Sequence, residues 1–428
     1  MRLNGIRLSH NKNTEDCETV ELGCPAKIIV SMSQHIGAPA EPTVKVGDLV
    51  KVGTKIGDAD TRMTCPIHSG VSGKVTKIGE ILLPNGKACK TVEIESDGRQ
   101  EKDEGLSPPE ITDKASLAAA VRASGCCGMG GAGFPTHIKL DYDEEKAHID
   151  TLVINAAECE PYITSDYREL IENSEGVIGG MKLIRDVLGI ERVCIGIEEN
   201  KPRAIKLFRE KLASEKGIEV IKLRSIYPQG AEKVIAFNAT GRIIGEGQLP
   251  SDQGLIVMNV STVGMIYQYA QTGMPFCARR VTLDGDAVGK PSNISAPIGT
   301  PITDLLAAAD TDIENIRRLL AGGPMMGMSL YDPSLPLLKT TNAFLAFKSE
   351  AQEFLHTNCI RCGRCIEACP LGLMPCEFEK AYDRRDRDAL NKLKINLCMN
   401  CGSCTYVCPA KRPLAEKNQL AKGFALSR

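Results

Sequence analysis

The sequence predicts a multidomain protein that combines α/β and α+β architecture, and three observations lead to this class. The chain has 428 residues, which corresponds to about three domains at roughly 150 residues each. From about residue 114, apolar strands alternate with helical segments, which is typical of an α/β domain with a buried, partly parallel sheet. Eight of the 18 cysteines form two motifs near the carboxyl terminus. We therefore expect a small β domain, an α/β domain, a short mixed segment and a cysteine-rich module, in that order.

The overall composition excludes several classes of function. Lysine and arginine number 52 and acidic residues 54, so the net charge of -2 provides no basic field for binding nucleic acid. Hydrophobic residues make up 43% of the chain, which excludes a wholly disordered protein. The first residues lack the apolar segment of a secretory signal, and no run of about 18 apolar residues predicts a membrane span. Clustered cysteines in a reducing compartment more often bind metal or carry out redox chemistry than form disulfides.

Residues 1–105 are predicted to form a small all-β domain. Short strands such as Lys27–Ser31, and two near-repeats that end in Gly-Asp at 44–48 and 52–58, indicate strands joined by tight turns. The pattern resembles barrel-sandwich domains of the biotinyl and lipoyl type. Such carriers need an exposed lysine at a hairpin tip, and the tip here reads Asp60-Thr61-Arg62-Met63. We therefore expect this domain to be structural rather than cofactor-carrying.

The α/β domain is predicted over residues 114–275, after a polar linker that contains Pro108-Pro109. Its first motif is a glycine-rich loop, Gly128–Gly133, with a G-x-G-x-x-G string. A dinucleotide-binding Rossmann turn needs a strand before this string and a helix after it. Here a helical segment precedes the loop and Pro135 interrupts the segment after it, which disfavours a Rossmann turn. Four glycines in six residues still leave backbone N–H groups free to line a phosphate or a flavin.

A second motif, Asn155-Ala156-Ala157-Glu158-Cys159-Glu160-Pro161, comes after the predicted strand 151–155. The carboxyl ends of strands in α/β sheets are where ligands bind. Two acids and an amide at this place can bind the hydroxyl groups of a ribityl chain or of a nicotinamide ribose. The alternative is that these acids are solvated loop residues.

The eight clustered cysteines form two copies of C-x2-C-x2-C-x3-C-P. This is the spacing of bacterial ferredoxins with two [4Fe-4S] clusters, in which the fourth cysteine of each motif binds the other cluster. Zinc is the alternative, but tetrahedral zinc needs four ligands, usually arranged as paired C-x2-C motifs. The spacing therefore predicts a first cysteine set of Cys359, Cys362, Cys365 and Cys408, and a second cysteine set of Cys398, Cys401, Cys404 and Cys369.

Several motifs of the α/β domain resemble a known flavoprotein. Residues 128–139, GMGGAGFPTHIK, look like the flavin-loop signature of the NADH-binding 51 kDa subunit of respiratory complex I. Residues 155–161, 227–232 and 258–262 resemble the other flavin and NADH motifs of that family, although Ala231 stands where the third motif usually has an acid. The 51 kDa protein has a single cluster, whereas this chain has two four-cysteine motifs.

The order of the domains, together with the segment Ser33–Pro39 near the start, indicates a resemblance to a narrower family. Along nearly its whole length the chain is similar to the RnfC family, the C subunits of Rnf ion-translocating ferredoxin:NAD oxidoreductase complexes. That family joins a barrel-sandwich domain, an FMN/NADH domain, a β-grasp segment of the SLBB type and a ferredoxin-like module with two [4Fe-4S] clusters. The last two parts would correspond here to residues 276–345 and 350–428. The segment Gly5–His10 departs from the Gly-Gly-x-His-Pro motif that is usual in the family.

The resemblance implies a set of cofactor-binding residues. It places the glycine-rich loop against FMN and gives Lys139 a contact with the phosphate or the flavin ring, for which a lysine point charge is suited. Glu160 and Glu232 would contact the nicotinamide nucleotide, and Phe134 either stacks on its adenine or belongs to the core. No catalytic side chain is needed, because the cofactors themselves carry out the chemistry. The implied set is Gly128, Gly130, Gly131, Gly133, Phe134, Lys139, Asn155, Glu158, Glu160, Tyr227, Gly230, Glu232, Asn259 and Thr262.

Two adjacent cysteines, Cys126 and Cys127, come directly before the glycine-rich loop. One interpretation is that they are buried and inert, as many free cysteines are. The other is a redox-active pair whose thiolates are stabilised by the N–H groups of the loop.

The resemblance implies an NADH-dependent oxidoreductase subunit that exchanges electrons between NAD(H), FMN and two [4Fe-4S] clusters. Its partners would be the other subunits of an Rnf-type complex, including a ferredoxin-oxidising iron–sulfur subunit. It would lie on the cytoplasmic side of the cell membrane, without a transmembrane span of its own. The first alternative is a soluble PrdC-like carrier from NADH to a reductase such as proline reductase, with Cys126-Cys127 as an extra relay. The second alternative is an iron–sulfur scaffold or sensor without flavin.

Overall fold

The computed structural model describes residues 3–84, 86–349 and 355–427. Over these residues the chain forms four β-sheets and thirteen α-helices. The start of the predicted cysteine-rich module, residues 350–354, lies outside the described residues.

Eight strands lie in the first hundred residues, and seven of them build two antiparallel sheets. The strands are β1 (Thr19–Glu21), β2 (Lys27–Ser31), β3 (Glu41–Pro42), β4 (Leu49–Val50), β5 (Lys55–Asp58), β6 (Ile67–His68), β7 (Gly73–Leu82) and β8 (Ala88–Ser96). The strand orders are β2-β8-β7-β4 and β3-β5-β6. Apolar residues alternate along β2 and β8, so that Ile28 lies opposite Ile94 and Val30 opposite Val92, all fully buried.

The central part of the chain is an α/β domain with a wholly parallel sheet, where the sequence predicts a partly parallel one. The strand order is β11-β10-β9-β12. Its elements are α1 (Lys114–Ala123), α2 (Thr136–Leu140), β9 (Thr151–Ala156), α3 (Ser165–Glu172), α4 (Ser174–Leu188), β10 (Arg192–Glu198), α5 (Pro202–Lys211), β11 (Ile218–Leu223), α6 (Glu232–Thr240), β12 (Leu255–Asn259) and α7 (Val260–Thr272).

Local sequence signals set the ends and the packing of the helices in this domain. Asp113 forms a capping box with Ser116 at the start of α1, and α4 ends at Gly189, which has a left-handed φ of 64°. Helices α4 and α7 approach closely because α4 carries glycine at the contact. A Cβ at Gly180 would lie 2.4 Å from Val263 O. This contact positions the amino terminus of α7, which carries candidate site residues.

A six-stranded mixed sheet comes next, and it includes a strand from the start of the chain. Its elements are β13 (Ala278–Asp284), β14 (Ser292–Pro297), α8 (Ile302–Ala308), β15 (Arg318–Ala321), β16 (Met328–Leu330) and β17 (Ala343–Phe347). The order is β1-β14-β13-β17-β15-β16, with β1 parallel to β14. The assignment of this part of the chain to the SLBB type stays a prediction.

Among residues 3–21, the β pairing is therefore made outside the β domain to which the predicted boundary assigns them. Ile6 pairs with Tyr227 of the α/β domain through a β-bridge, and β1 extends the six-stranded sheet. These pairings join residues far apart in the sequence, so local strand signals do not reveal them.

The carboxyl-terminal module is helical and has its own small core. The fully buried side chains Phe378, Leu390, Ile395 and Ala421 lie at its centre. Its helices are α9 (Arg364–Glu367), α10 (Pro375–Asp383), α11 (Arg387–Lys392), α12 (Ser403–Tyr406) and α13 (Leu414–Leu426). In the parts of the chain described here, no helix combines the length and the apolar character needed to cross a membrane.

Candidate functional site

Most residues singled out in the α/β domain lie at one edge of its sheet. Because β9 to β12 run parallel, their carboxyl ends meet at the same edge. Asn155 near the end of β9 and Asn259 at the end of β12 are register partners and therefore lie side by side.

The glycine-rich loop presents an open backbone surface at this edge. Gly130, Gly131 and Ala132 are exposed, and a Cβ at Gly131 would meet no atom within 4 Å. The φ values of Gly131 and Gly133, 105° and 66°, are ones that side chains disfavour. On the other side the loop packs tightly, since a Cβ at Gly133 would lie 2.5 Å from Thr340 Cγ2. The exposed side fits a phosphate or the flat ring of a flavin.

Buried polar groups hold this loop from behind. Thr262 Oγ1 accepts a hydrogen bond of 3.0 Å from Met129 N, and Arg279 Nη2 donates to Met129 O at 2.8 Å. Lys339 Nζ donates to Gly125 O at 2.7 Å. Arg279 and Lys339 are almost fully buried, and burial lowers the pKa of both side chains. The loop is therefore fixed by two cations that do not face the open edge.

Lys139 places an ammonium group at the rim of the open edge. Its Nζ lies 2.7 Å from a carboxylate oxygen of Glu232 and donates to Val257 O at 2.9 Å. The same atom is 5.9 Å from the ring centroid of Phe134, which is half-buried. The side chain of Lys139 remains 28% exposed, and its ammonium group is paired with Glu232.

Asn259 supports both the loop and the start of α7. Its Oδ1 accepts from Ser261 N at 2.9 Å and Thr262 N at 3.3 Å, which caps the helix. Its Nδ2 donates to Asp166 at 2.6 Å. A Cβ at Gly130 would lie 3.5 Å from the Asn259 side chain, in ordinary contact. Both polar ends of Asn259 are thus engaged within the protein, and its side chain shapes the floor beneath the loop.

Asn155 joins two of the motifs. Its Nδ2 donates to Gly230 O at 2.8 Å, and its Oδ1 accepts from Ala157 N at 3.3 Å. The N–H of Gly230 in turn donates to Cys159 Sγ at 3.3 Å. The segments 155–161 and 227–232 are therefore held together at the sheet edge.

Glu158 is turned toward the protein interior. Its carboxylate accepts hydrogen bonds from Asp166 N at 2.6 Å and Tyr167 N at 3.3 Å, at the amino terminus of α3. Lys12, from the start of the chain, lies beneath and donates to the backbone oxygens of Glu158 and Glu160 at 2.9 Å each. Burial raises the pKa of Glu158 and lowers that of Lys12. The predicted contact of Glu158 with flavin stays a prediction.

Glu160 and Tyr227 face the cysteine-rich module. Tyr227 is 3% exposed and donates its hydroxyl to Cys401 O at 2.7 Å. Glu160 lies 3.4 Å from the same hydroxyl and accepts from Met325 N at 3.0 Å. Burial raises the pKa of Glu160 to about 7. A Cβ at Gly402 would lie 2.9 Å from Met325 O, in the loop between β15 and β16, so the segment of the six-stranded sheet also packs closely against the module.

Cys126 and Cys127 are fully buried. The sulfur of Cys127 points to Gln34 O at 3.6 Å, and that of Cys126 to the backbone oxygen of Cys127 at 3.8 Å. Burial raises the pKa of both thiols, so they are protonated at neutral pH. The geometry fits the inert interpretation and gives no support to a thiolate pair stabilised by the loop.

The second cysteine set converges in one place. A single cavity is lined by all four members of the second set, so the fourth cysteine of the first motif lies with the first three of the second motif. In the first set, Cys365 and Cys408 share a buried cluster, and Arg412 is close to Cys359 and Cys408. Cys362 is exposed.

Two sets of four cysteines match the ligand number of two [4Fe-4S] clusters. Over the ranges that the structure describes, no three His, Cys, Asp or Glu side chains are close enough to hold one metal ion. Thiolates of a single zinc ion each lie at about 2.3 Å from it, whereas cysteines of a [4Fe-4S] cluster bind different irons and stand farther apart. Cys376 adds a further thiol beside Cys365, although it lies outside both motifs.

The sequence motifs do not reveal several residues that build the site. They are charged groups far from the motifs, namely the half-buried Lys12 and the buried Asp166, Arg279 and Lys339. An ionisable residue next to an apolar run is the one local signal available, as for Lys339 after Leu337-Leu338. Lys12 has no such signal, because its neighbours His10 to Thr14 are polar.

Three family models match the chain in the order of its domains. An RnfC barrel sandwich hybrid domain matches residues 2–99, a Nuo51 FMN-binding domain matches 121–268, and a 4Fe-4S dicluster domain matches 356–412. The second covers the glycine-rich loop and the sheet edge, and the third covers both cysteine sets. These domains define an iron–sulfur flavoprotein.

Relatives that match almost the whole chain identify one family within this class of iron–sulfur flavoproteins. The C subunit of the Na(+)-translocating ferredoxin:NAD(+) oxidoreductase complex of Acetobacterium woodii is 37% identical, over 93% of this chain and 90% of the relative. The C subunit of the proton-translocating complex of Clostridium ljungdahlii is 38% identical, over 87% of this chain and 82% of the relative. The C subunit of the ion-translocating oxidoreductase complex of Rhodobacter capsulatus is 37% identical over 97% and 81%. The chain belongs to the RnfC family, the C subunits of ion-translocating ferredoxin:NAD(+) oxidoreductase complexes.

A solved structure shares the fold at lower identity. NAD+-reducing [NiFe]-hydrogenase in the air-oxidized state superposes with a TM-score of 0.53 at 19% identity, over 74% of this chain and 64% of the hydrogenase chain. At this identity the likeness concerns the fold.

Proposed function

We propose that this chain is the NADH-oxidising subunit of an ion-translocating ferredoxin:NAD(+) oxidoreductase complex and transfers electrons between NAD(H), FMN and two [4Fe-4S] clusters. The observation that carries the proposal is the hydrogen bond from Tyr227 to the backbone oxygen of Cys401. It joins the domain that would hold FMN directly to the cysteine set that would hold a cluster, so the site for a two-electron centre and the site for a one-electron centre adjoin.

The chain's own residues bind and orient rather than react. The glycine-rich loop would hold FMN, and the conversion of an electron pair from NADH into single electrons would be chemistry that the cofactor supplies. The exposed backbone of Gly130 and Gly131 offers a flat surface, and the ammonium group of Lys139 neutralises an anion at its rim. Asn155 and Asn259 hold the floor of the site, and none of these groups has to give or take a proton.

The contacts of the module support an order for the two clusters. The second cysteine set lies against the α/β domain, whereas Cys362 of the first set is exposed. We therefore propose that electrons pass between the flavin and the second set, and between the first set and a partner.

The proposed location is the cytoplasmic side of the cell membrane, as a peripheral subunit bound to the other subunits of the complex. The named relatives are subunits of such complexes. The alternative of a soluble carrier with a Cys126-Cys127 relay has less support, because both thiols are buried and protonated.

Anaerobic reduction by NADH tests the function and the order together. We expect the purified protein to contain FMN and two clusters, and NADH to produce the EPR signals of reduced clusters. Cys404→Ser should leave the flavin reducible by NADH but slow the reduction of the first-set cluster. The matched variant Cys362→Ser should leave reduction of the second-set cluster intact. A protein with clusters but no FMN, or clusters that NADH does not reduce, contradicts the proposal.

A further inference from the structure

The two cysteine motifs adopt the same backbone conformation. Gly363 and Gly402 cap α9 and α12 with identical angles, φ 78° and ψ -12°. Arg361 and Asn400, at equivalent positions two residues earlier, have left-handed φ values of 56° and 53°. Residues 360–364 and 399–403 are therefore equivalent faces of two repeats, and their surroundings are directly comparable.

One of these faces is covered and the other is open. On the second repeat, Tyr227 donates to Cys401 O, and a Cβ at Gly402 would lie 2.9 Å from Met325 O. On the first repeat, a Cβ at Gly363 would meet nothing within 4 Å, and the side chain equivalent to Cys401 is the exposed Cys362. Among residues 3–84, 86–349 and 355–427, the same backbone geometry is thus covered in the second repeat and left open in the first.

The open face is apolar at its centre and more basic than the covered one. Ile360 is 66% exposed. The covered repeat has neutral Asn400 and Ser403 where the open repeat has Arg361 and Arg364, both exposed. Across the described ranges, neither guanidinium group takes part in a hydrogen bond or ion pair. With Glu367 included, residues 359–370 carry two positive charges and one negative, and residues 398–409 carry none.

We propose that the face Ile360–Arg364 is the docking surface for an acidic electron-transfer protein, whose redox centre faces Cys362 as the α/β domain faces Cys401. An apolar centre with a charged rim is the usual anatomy of a transient interface. Unpaired arginines at the rim steer an acidic partner and set its orientation. This inference rests on the proposed function, because it assigns the exit of the same electron path.

The test uses full-length protein with its cofactors, reduced by NADH, and a small acidic two-cluster ferredoxin as the acceptor. In Arg361→Asn/Arg364→Ser, which copies the covered repeat, we expect the second-order rate constant of ferredoxin reduction to fall about fivefold at low salt. The difference should shrink at high salt, because added ions screen charge interactions at a surface. The matched control is Arg384→Asn/Lys392→Ser, which removes the same charge from exposed positions elsewhere in the module.

Three outcomes overturn the docking surface. They are a wild-type rate in Arg361→Asn/Arg364→Ser, an equal loss in the control, and an equal loss with the basic acceptor cytochrome c. EPR of the NADH-reduced clusters distinguishes failure of the docking surface from failure of the proposed function. Clusters that NADH reduces normally, with ferredoxin rates insensitive to the two arginines, refute the surface alone. Clusters that NADH does not reduce refute the electron path itself.

Discussion

The buried side chains of Arg279 and Lys339 hold the glycine-rich loop in place, and both donate hydrogen bonds to backbone oxygens. Lys339 donates to Pro66 O and Gly125 O at 2.8 and 2.7 Å, and its charge is buried among thiols. An ammonium group withdrawn from water is costly unless its hydrogen bonds are satisfied, so these carbonyls are needed to stabilise it. His68 lies in the same pocket, close to Gly125.

The burial of His68 predicts acid sensitivity. Burial lowers the pKa of His68 to about 3, with the charge of Lys339 acting in the same direction. The unfolded chain binds a proton near pH 6.5 and the folded chain does not, so stability is present above that pH and is lost as pH falls. One buried neutral histidine should lower the free energy of unfolding by about 2 kcal/mol between about pH 7.5 and about pH 5. Urea denaturation at both pH values measures it.

Replacing His68 removes the difference in proton binding between the folded and the unfolded chain. In His68→Leu the loss of stability between the two pH values should be about 2 kcal/mol smaller than in the wild type. The exposed His148 gives the control, and His148→Gln should keep the full pH dependence. An unchanged pH dependence in His68→Leu would show that other groups cause the acid sensitivity.

At the scale of elements, residues 3–21 form a segment, here called the strap, that lies across the α/β domain. Ile6 pairs with Tyr227, and Lys12 reaches three backbone oxygens between Glu158 and Ile163. The strap thus supports the loop that connects β9 to α3.

Removing the ammonium group of Lys12 should loosen the loop that connects β9 to α3. Lys12→Met leaves the backbone oxygens without a donor and the half-buried Glu158 without a nearby cation, a loss of about 2 kcal/mol in the free energy of unfolding. Chemical denaturation measures it, and the variant should also release FMN more readily on dilution. Arg7→Met, at an exposed position of the same strap, should change neither quantity. Equal behaviour of the two variants would contradict a supporting role for Lys12.

At the scale of the whole molecule, one small interface couples the domain that matches the FMN-binding model to the cysteine-rich module. Its buried centre is formed by Ile6, Tyr227 and Ala368, with Met325 and Cys401 packed beside them. Four parts of the chain meet there: the strap, the α/β domain, the loop between β15 and β16 of the six-stranded sheet, and the module.

Tyr227→Phe should weaken this interface without unfolding its parts. The lost hydrogen bond to Cys401 O is worth about 1 kcal/mol, which corresponds to roughly fivefold more frequent opening. Hydrogen exchange of the Met325 N–H, which donates to Glu160, should quicken by that factor. Tyr406→Phe, which alters an exposed hydroxyl of the module, is the control. Equal exchange rates in both variants would refute the coupling role of Tyr227.

The amino-acid sequence by itself determines the parts of this protein. The glycine-rich loop, the strand-end motif around Asn155 and the two cysteine motifs are recognisable because their chemistry depends on residues a few positions apart. The eight cysteines, their likeness to two-cluster ferredoxins and the order of the domains can be read from such local spacing.

Only the tertiary structure decides how these parts are joined. Glu160 and Tyr227 turn toward the module, Cys126 and Cys127 are buried, and Lys12 lies 146 residues from the loop it supports. The direction of a side chain, its burial and the resulting shift of its pKa depend on groups brought together by chain folding, and no local pattern contains them. For the same reason, the sequence presents the two cysteine motifs as equals, whereas the structure covers one and leaves the other open.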